Sequence, residues 1–222
     1  MSIQECIKNR RSIRKFLSVP VEAEKLGKII DAARYAPSAG NLQNWKLILV
    51  TEQTKKRAVI DSCMQQYWME TAPLLIVVCG DPVKGDRFYG TRGKTLYTIQ
   101  NCAAAIQNML LAAHSQGIGS CWVGAFDNQA LKKALSIPDA VEPQAVLCFG
   151  YADETVPLPP RYTVENIVYL ERYGNRVKDI AAFMNEYSVH VQKALTSIKT
   201  FLGKKLSTLT SPKEQLLQQK QK

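Results

Sequence analysis

Arg10-Arg11-Ser12-Ile13-Arg14-Lys15-Phe16 places three arginines and a hydroxyl just beyond a short N-terminal helix. Guanidinium forks pair bidentately with phosphate oxygens, and a serine hydroxyl adds a further short donor, so the stretch has the composition of a phosphate-holding cluster. Charge alone does not separate that reading from a solvated basic turn, because surface charge runs are common. The order of the elements that follow decides between them.

Ser2 with Glu5 forms a capping-box pattern for the first helix, which is expected to end near Arg10. Between Glu22 and Tyr35, Leu26, Ile29, Ile30 and Ala33 recur at helical spacing, and Pro37 follows just beyond. Trp45 to Thr51 and Leu74 to Gly80 are short apolar runs bounded by polar or turn residues, the pattern of buried strands, with a helix predicted from about Thr54 to Met69 between them. Lys94 to Gln116 is predicted as the longest helix of the body. Its face of Ala103, Ala104, Ala105, Ile106, Met109, Leu110 and Ala113 permits close approach at the centre of the core or of a subunit interface. Strands at Gly119 to Val123 and Gln144 to Tyr151 enclose a helix from Asn128 to Leu135, and Asn166-Ile167-Val168-Tyr169-Leu170 reads as one more short strand.

Composition narrows the class. Of 222 residues 46% are hydrophobic, no run approaches a membrane span, and Met1-Ser2-Ile3-Gln4-Glu5 lacks the apolar stretch of a secretory signal, so a soluble cytoplasmic protein without a membrane partner is expected. Six widely spaced cysteines with no C-x-x-C pair read as reduced, packed thiols, and His114 and His190 alone offer poor material for a metal site or a Ser-His-Asp constellation. The net charge is +10, of which residues 175–222 carry +6 from nine Lys/Arg against three Asp/Glu. The basic excess is thus mainly a property of the tail, and no nucleic-acid partner is expected from it. From about Arg176 to Leu202, Ile180, Phe183, Met184, Tyr187, Val191, Ala194, Leu195, Ile198, Phe201 and Leu202 follow spacings of three and four, which predicts a long amphipathic helix; from about Ser207 a flexible or partly helical end is expected. The helix's apolar stripe is expected to pack on the body or a partner subunit, with a membrane surface as the alternative.

Three further segments accompany the arginines. Ala36-Pro37-Ser38-Ala39-Gly40-Asn41-Leu42-Gln43-Asn44-Trp45 is a tight loop of small and amide residues suited to a flat polar ligand. Gly117-Ile118-Gly119-Ser120-Cys121-Trp122-Val123-Gly124 supplies glycines where backbone must come close, and Pro157-Leu158-Pro159-Pro160-Arg161 delivers another arginine from a proline-fixed segment. The glycine run is no dinucleotide fingerprint, because Trp122 takes the third glycine position and the run leads from helix to strand. In this order the four segments resemble the nitroreductase family of FMN-dependent oxidoreductases over about residues 3–172, whose pattern runs R-R-S-x-R-x-F, P-S-x-x-N-x-Q-P-W, G-x-G-S-C-W-x-G and a late P-R.

The resemblance implies an α+β fold, a mixed central sheet flanked by helices, in an intertwined homodimer with two interfacial FMN sites. The strand at Asn166–Leu170 would then add to the partner's sheet. It implies a flavin-binding domain over residues 1–174, with 175–222 an added C-terminal amphipathic helix and basic tail. Arg10, Ser12 and Arg161 would hold the FMN phosphate, with Arg11 helping through backbone or side chain, and Arg14 would lie at the N1–C2 carbonyl edge of the isoalloxazine. Pro37, Ser38, Ala39, Asn41 and Gln43 resemble the loop that reaches the flavin from the partner subunit; Trp122, Val123, Gly124 and Ala125 match the segment passing its N5. Independently of the resemblance, Trp45 and Trp122 read as core or wall residues and Cys121 as packing. No protein nucleophile and no metal are implied: NAD(P)H gives hydride to FMN, and a nitroaromatic, quinone or similar small acceptor then takes its place in a ping-pong cycle. Two alternatives stay open, a specialised flavoenzyme of the same fold (dehalogenase, ring dehydrogenase or flavin-consuming enzyme) and a non-enzymatic flavin-binding protein. The sequence departs from the family pattern at Asn44, which replaces the usual proline before Trp45, and at Gln100, where many relatives carry an acid.

Overall fold

The seven residues Leu74-Leu75-Ile76-Val77-Val78-Cys79-Gly80 form a strand, β2 (Leu74–Gly80), that is buried at every position. Alternate side chains of a strand point to opposite faces, so an unbroken apolar run requires cover on both sides. That cover organises the chain. The computed structural model describes the backbone of residues 1–177 and 179–218 and the side chains of 1–177 and 179–202. The chain divides into two compact units, Met1–Leu158 and Pro159–Lys222.

In the first unit β2 pairs with β1 (Trp45–Val50) on one side and β4 (Glu142–Gly150) on the other, and β3 (Gly119–Val123) completes the order β1-β2-β4-β3. All three pairings are antiparallel. The parallel component expected of a mixed sheet is confined, among the described residues, to one bridge between Ser12 and Ser120. One face carries Leu75, Val77, Cys79, Val146 and Cys148 against α3 (Gln53–Ser62) and α6 (Asn128–Leu135), where Val59, Ile60 and Leu131 close the layer. The other carries Leu74, Ile76, Val78, Ala145, Leu147 and Phe149 against α2 (Ala23–Arg34) and α5 (Thr98–Ser115), through Ile29, Ala33, Cys102, Ala105, Ile106, Met109 and Ala113. α5 is therefore a core helix, and its alanines set its distance from α2.

The capping box forms as read. Glu5 N donates to Ser2 Oγ and Ser2 N to the Glu5 carboxylate, opening α1 (Ile3–Asn9). The helix predicted over 54–69 stops at Ser62. Met64 and Gln65 take left-handed backbone, and a 3-10 turn, Tyr67–Thr71, buries Met69 in its place. The apolar spacing continues across this break because the turn returns Met69 to the same core; the Ser62 carbonyl, freed from the helix, accepts from Asp127 N at 2.8 Å. The helix predicted to begin at Lys94 is instead preceded by α4 (Pro82–Arg92) and a π-helical turn, Gly93–Tyr97. Gly85 and Gly93 meet backbone to backbone, and a Cβ on Gly93 would run into the Gly85 carbonyl.

In the second unit the segment read as a strand at Asn166–Leu170 is a short helix, α7 (Val164–Ile167), followed by extended Val168 and a bridge from Tyr169 to Arg176. Its amides are met locally, Asn166 N by the Thr163 carbonyl and Val168 N by the Val164 carbonyl, both at 3.1 Å, an arrangement that a lone apolar strand does not offer. α8 (Ile180–Gln218) begins later and runs further than the spacing predicted.

A surface triad ties α2 to the end of β4. Tyr151 donates its hydroxyl hydrogen to Glu22 while Lys25 Nζ lies 2.5 Å from the same oxygen and 3.1 Å from Glu22. The Tyr151 hydroxyl, then the backbone amide and Lys25, depress the Glu22 pKa from 4.5 to about 2. A depressed carboxylate contributes stability that is present above its unfolded pKa and lost as pH falls through the folded one, so this anchor weakens from about pH 4.5 down to about 2. Tyr151→Phe should return the Glu22 titration, followed by carboxyl NMR, toward 4.5; an unmoved titration would show that the hydroxyl is not its main support.

Candidate functional site

Residues 10–16 leave α1 and lie along the β3 edge. Ser12 bridges to Ser120, Ile13 N donates to the Ser120 carbonyl at 2.9 Å, and Phe16 bridges to Ala152. Two glycines permit this approach: a Cβ at Gly119 would stand 3.0 Å from Ile13 Cγ1, and one at Gly150 would stand 2.9 Å from the Phe16 ring. The arginine motif and the Gly117–Gly124 motif, a hundred residues apart in sequence, thus form one wall.

Arg10, Arg11 and Ile13 line one cleft, and Ser12 and Arg14 are not among its lining residues. Ile13 is buried, and Arg11 folds back to cap α1, donating to the Lys8 carbonyl at 2.6 Å and the Arg10 carbonyl at 3.0 Å. Arg14 is held at both ends: its guanidinium carbon lies 5.9 Å from the Trp68 ring centre, and its amide, with that of Lys15, donates to the Glu154 carboxylate. Reading the sequence places Tyr67-Trp68 and Arg87-Phe88-Tyr89 at the substrate space, but it does not bring Trp68 to Arg14 and does not reach Glu154, since both come to Arg14 from elsewhere in the chain.

Arg10 and Arg11 border a cleft of ≈ 230 Å³ that Asn9, His114, Gly117 to Ser120 and Ala152 also line. Arg11 Nε, His114 Nε2 and Ser120 Oγ, all buried on it, have no hydrogen-bond partner among the described residues. Burial, and after it the charges of Arg10 and Arg11, push the His114 pKa below 6.5. Unpartnered donors, two guanidinia and a backbone kept close by glycine suit an oxyanion the size of a phosphate group. Sequence reasoning did not reach His114; its position in the last turn of α5, facing the start of β3, is a tertiary fact.

Farther along β3, Trp122 is 40% exposed, so it is a surface wall and not core, while Val123 is buried and Gly124 and Ala125 are open. Cys121 is buried, with its thiol pKa raised by desolvation. Arg161 belongs to the second unit and is exposed.

The Pro37–Gln43 loop stands elsewhere in the same unit. It precedes Trp45, which pairs with Gly80, whereas Ser120 is level with Phe149 and Leu74. Three strand spacings and six residues of strand separate those levels, on the order of 25 Å. Loop and arginine segment occupy opposite corners of the sheet. Pro37, Asn41 and Gln43 are exposed, Ser38 and Ala39 half-buried, and Gly40, Asn41 and Gln43 all take left-handed backbone. Asn44 is buried, and Gln100 is exposed on α5.

Similarity to known proteins shows the family of the chain. The Nitroreductase family model matches residues 7–67 and 59–151, and the chain belongs to that family. It is 35% identical over 156 residues to an Archaeoglobus fulgidus protein named as a candidate NADH dehydrogenase/NAD(P)H nitroreductase, covering 67% of this chain and 86% of that one. The structure of a nitroreductase family protein from Clostridium difficile superposes with a TM-score of 0.68 at 31% identity, over 78% of this chain and 99% of the other. That of the NADPH:FMN oxidoreductase from Vibrio harveyi, complexed with NAD+, gives a TM-score of 0.71 at 25% identity, over 86% and 85%.

An anion in the cleft offsets the two guanidinia that depress His114. Inorganic sulfate should therefore raise the His114 pKa, read by imidazole NMR, and by linkage bind more tightly as pH falls through that titration. A His114 titration indifferent to saturating sulfate would place the anion elsewhere.

Proposed function

We propose that the protein is an FMN-dependent NAD(P)H oxidoreductase that reduces electron-poor acceptors of the nitroaromatic or quinone type, working as a homodimer. The observation that carries this reading is the cleft at Arg10, where unpartnered buried donors meet the chemistry of a flavin phosphate. The names of its relatives support the flavin and the nicotinamide, since the Vibrio harveyi protein is called an NADPH:FMN oxidoreductase.

FMN, when bound, supplies a two-electron carrier between NAD(P)H and the acceptor. The chain's own residues bind and orient it. Arg10 holds the phosphate at the cleft, where Arg11, which caps α1, offers its free Nε; Ser12 and Arg161 are further phosphate ligands on the family resemblance. Arg14, steadied by Trp68 and Glu154, brings a fixed cation to the N1–C2 carbonyl edge, where negative charge grows on reduction; a preoriented charge needs no rearrangement at that moment. Trp122 walls the ring, and the open backbone at Gly124 and Ala125 offers amides to the N5 side, with Val123 anchoring that turn in the core. The flavin-binding domain runs to residue 174, and the helix and basic tail of 175–222 are an appendage to it.

The corner-to-corner placement of loop and arginines supports dimerisation. Pro37, Ser38, Ala39, Asn41 and Gln43 are too far from their own chain's Arg14 to share one mononucleotide with it, so they serve the flavin held by a second copy.

Arg10→Ala and Arg161→Ala should each lose flavin from the purified protein, by an affinity loss of ~1.5–3 kcal/mol for a charge-assisted contact, whereas Arg14→Ala should slow anaerobic reduction by NADH or NADPH more than it weakens flavin binding. Flavin absorbance and stopped-flow reduction measure both; retained affinity in the first two variants would remove the phosphate assignment. Flavin bound but not reducible by either nicotinamide would defeat the oxidoreductase reading. In sedimentation, FMN should stabilise dimer because it binds the assembled state. A monomer carrying full flavin would refute the shared site.

A further inference from the structure

Asn44 is 1% exposed and makes three side-chain hydrogen bonds. Its amide donates to the Asp81 carbonyl and to Thr98 Oγ1, both at 2.9 Å, and its Oδ1 accepts from Asn101 Nδ2 at 2.8 Å. Asn101, 4% exposed, passes the contact on: its own Oδ1 accepts from Ala39 N at 2.9 Å. The chain is therefore continuous from the start of α4 and α5, through two buried amides, to the backbone of the Pro37–Gln43 loop. The loop is braced again from α4, where Lys84 Nζ donates to the Leu42 carbonyl at 2.7 Å, and from within, where Gln43 N donates to Ser38 Oγ at 3.1 Å. A Cβ at Gly40 would run into the Tyr89 hydroxyl, so the loop also packs tightly on the end of α4.

The conformation so held is one that the loop would not keep by itself. Asn41 has φ 55° and Gln43 φ 47°, left-handed values that cost free energy outside glycine. The residue before a proline is driven to extended backbone, so a proline at 44 would act against the left-handed Gln43. Asparagine at that position leaves Gln43 free to turn, and its buried side chain supplies the rigidity instead.

We propose that Asn44 and Asn101 are positioning residues of the flavin site, a buried amide pair that sets the shape in which the Pro37–Gln43 loop meets the flavin of a second copy. This rests on the reading of that loop given under the proposed function. Neither residue touches the flavin; both act through Ala39 and the turn that follows it.

The test compares Asn44→Ala and Asn101→Ala with wild type in full-length protein. It measures FMN affinity on dimer well below the melting temperature, hydrogen exchange of the 38–43 amides, and the melting temperature itself. The expected result is FMN affinity about tenfold weaker in the intact dimer with faster loop exchange. Asn44→Pro should not restore affinity, because Gln43 must then leave its left-handed state. A lower melting temperature with wild-type FMN affinity would assign the pair to stability alone and overturn the proposal. Where the alanine variants do not fold, Thr98→Val, which removes the Thr98 acceptor of Asn44 and the Thr98 donor to the Gly93 carbonyl while keeping the side chain's shape, decides by the same comparison of affinity with exchange. Asn41→Ala and Gln43→Ala separate the two levels of argument. If these weaken FMN and the Asn44 and Asn101 variants do not, the positioning role falls alone; if these too leave affinity unchanged, the loop is not at the flavin and both fall.

Discussion

Burial of β2 on both faces is the constraint from which the arrangement follows. Its alternate side chains feed two cores, so α3 and α6 must cover one side and α2 and α5 the other. With α5 across the sheet, β3 joins at one edge beside β4, and β1 takes the opposite edge. The arginine run then lies along the open β3 edge, and the amide-rich loop stands ahead of β1.

Electrostatics gives the open β3 edge its character. Arg10, Arg11 and Arg14 belong to one short segment, and like charges held together favour an anion that relieves them. Within the segment Arg11 is spent on the Lys8 and Arg10 carbonyls at the end of α1, while Arg10 borders the cleft beside it. Burial, and then the same arginine field, make the His114 proton easier to lose.

The opposite corner is built from neutral groups. Asn44, Asn101 and Thr98 satisfy one another in a site where an unmet polar atom would be costly, and their cooperative network holds residues in left-handed backbone. One site wall is thus made of charge seeking a counterion and the other of backbone held in an uncommon shape. Under the proposed function, their distance apart in a single chain is the reason for assigning the loop to the flavin of a second copy.

By itself the sequence determined the elements whose signals are local. The Ser2 and Glu5 cap, the bounds of β2, β3 and α6, and the arginine and glycine motifs were legible because period, capping chemistry and apolar runs act over a few residues. The 54–69 stretch, the start of α5 and the 166–170 segment were not, because each is decided by what comes to meet it: Asp127 at the Ser62 carbonyl, Gly85 against Gly93, and local carbonyls that satisfy Asn166 and Val168. Asn44 looked like a departure from a pattern and is a network centre, since only the fold brings Asn101 and Thr98 to it. His114, Trp68 and Glu154 joined the arginines in the same way. Local propensity is written in neighbouring residues, whereas burial, field and hydrogen-bond partners at a site are sums over groups that only tertiary packing assembles.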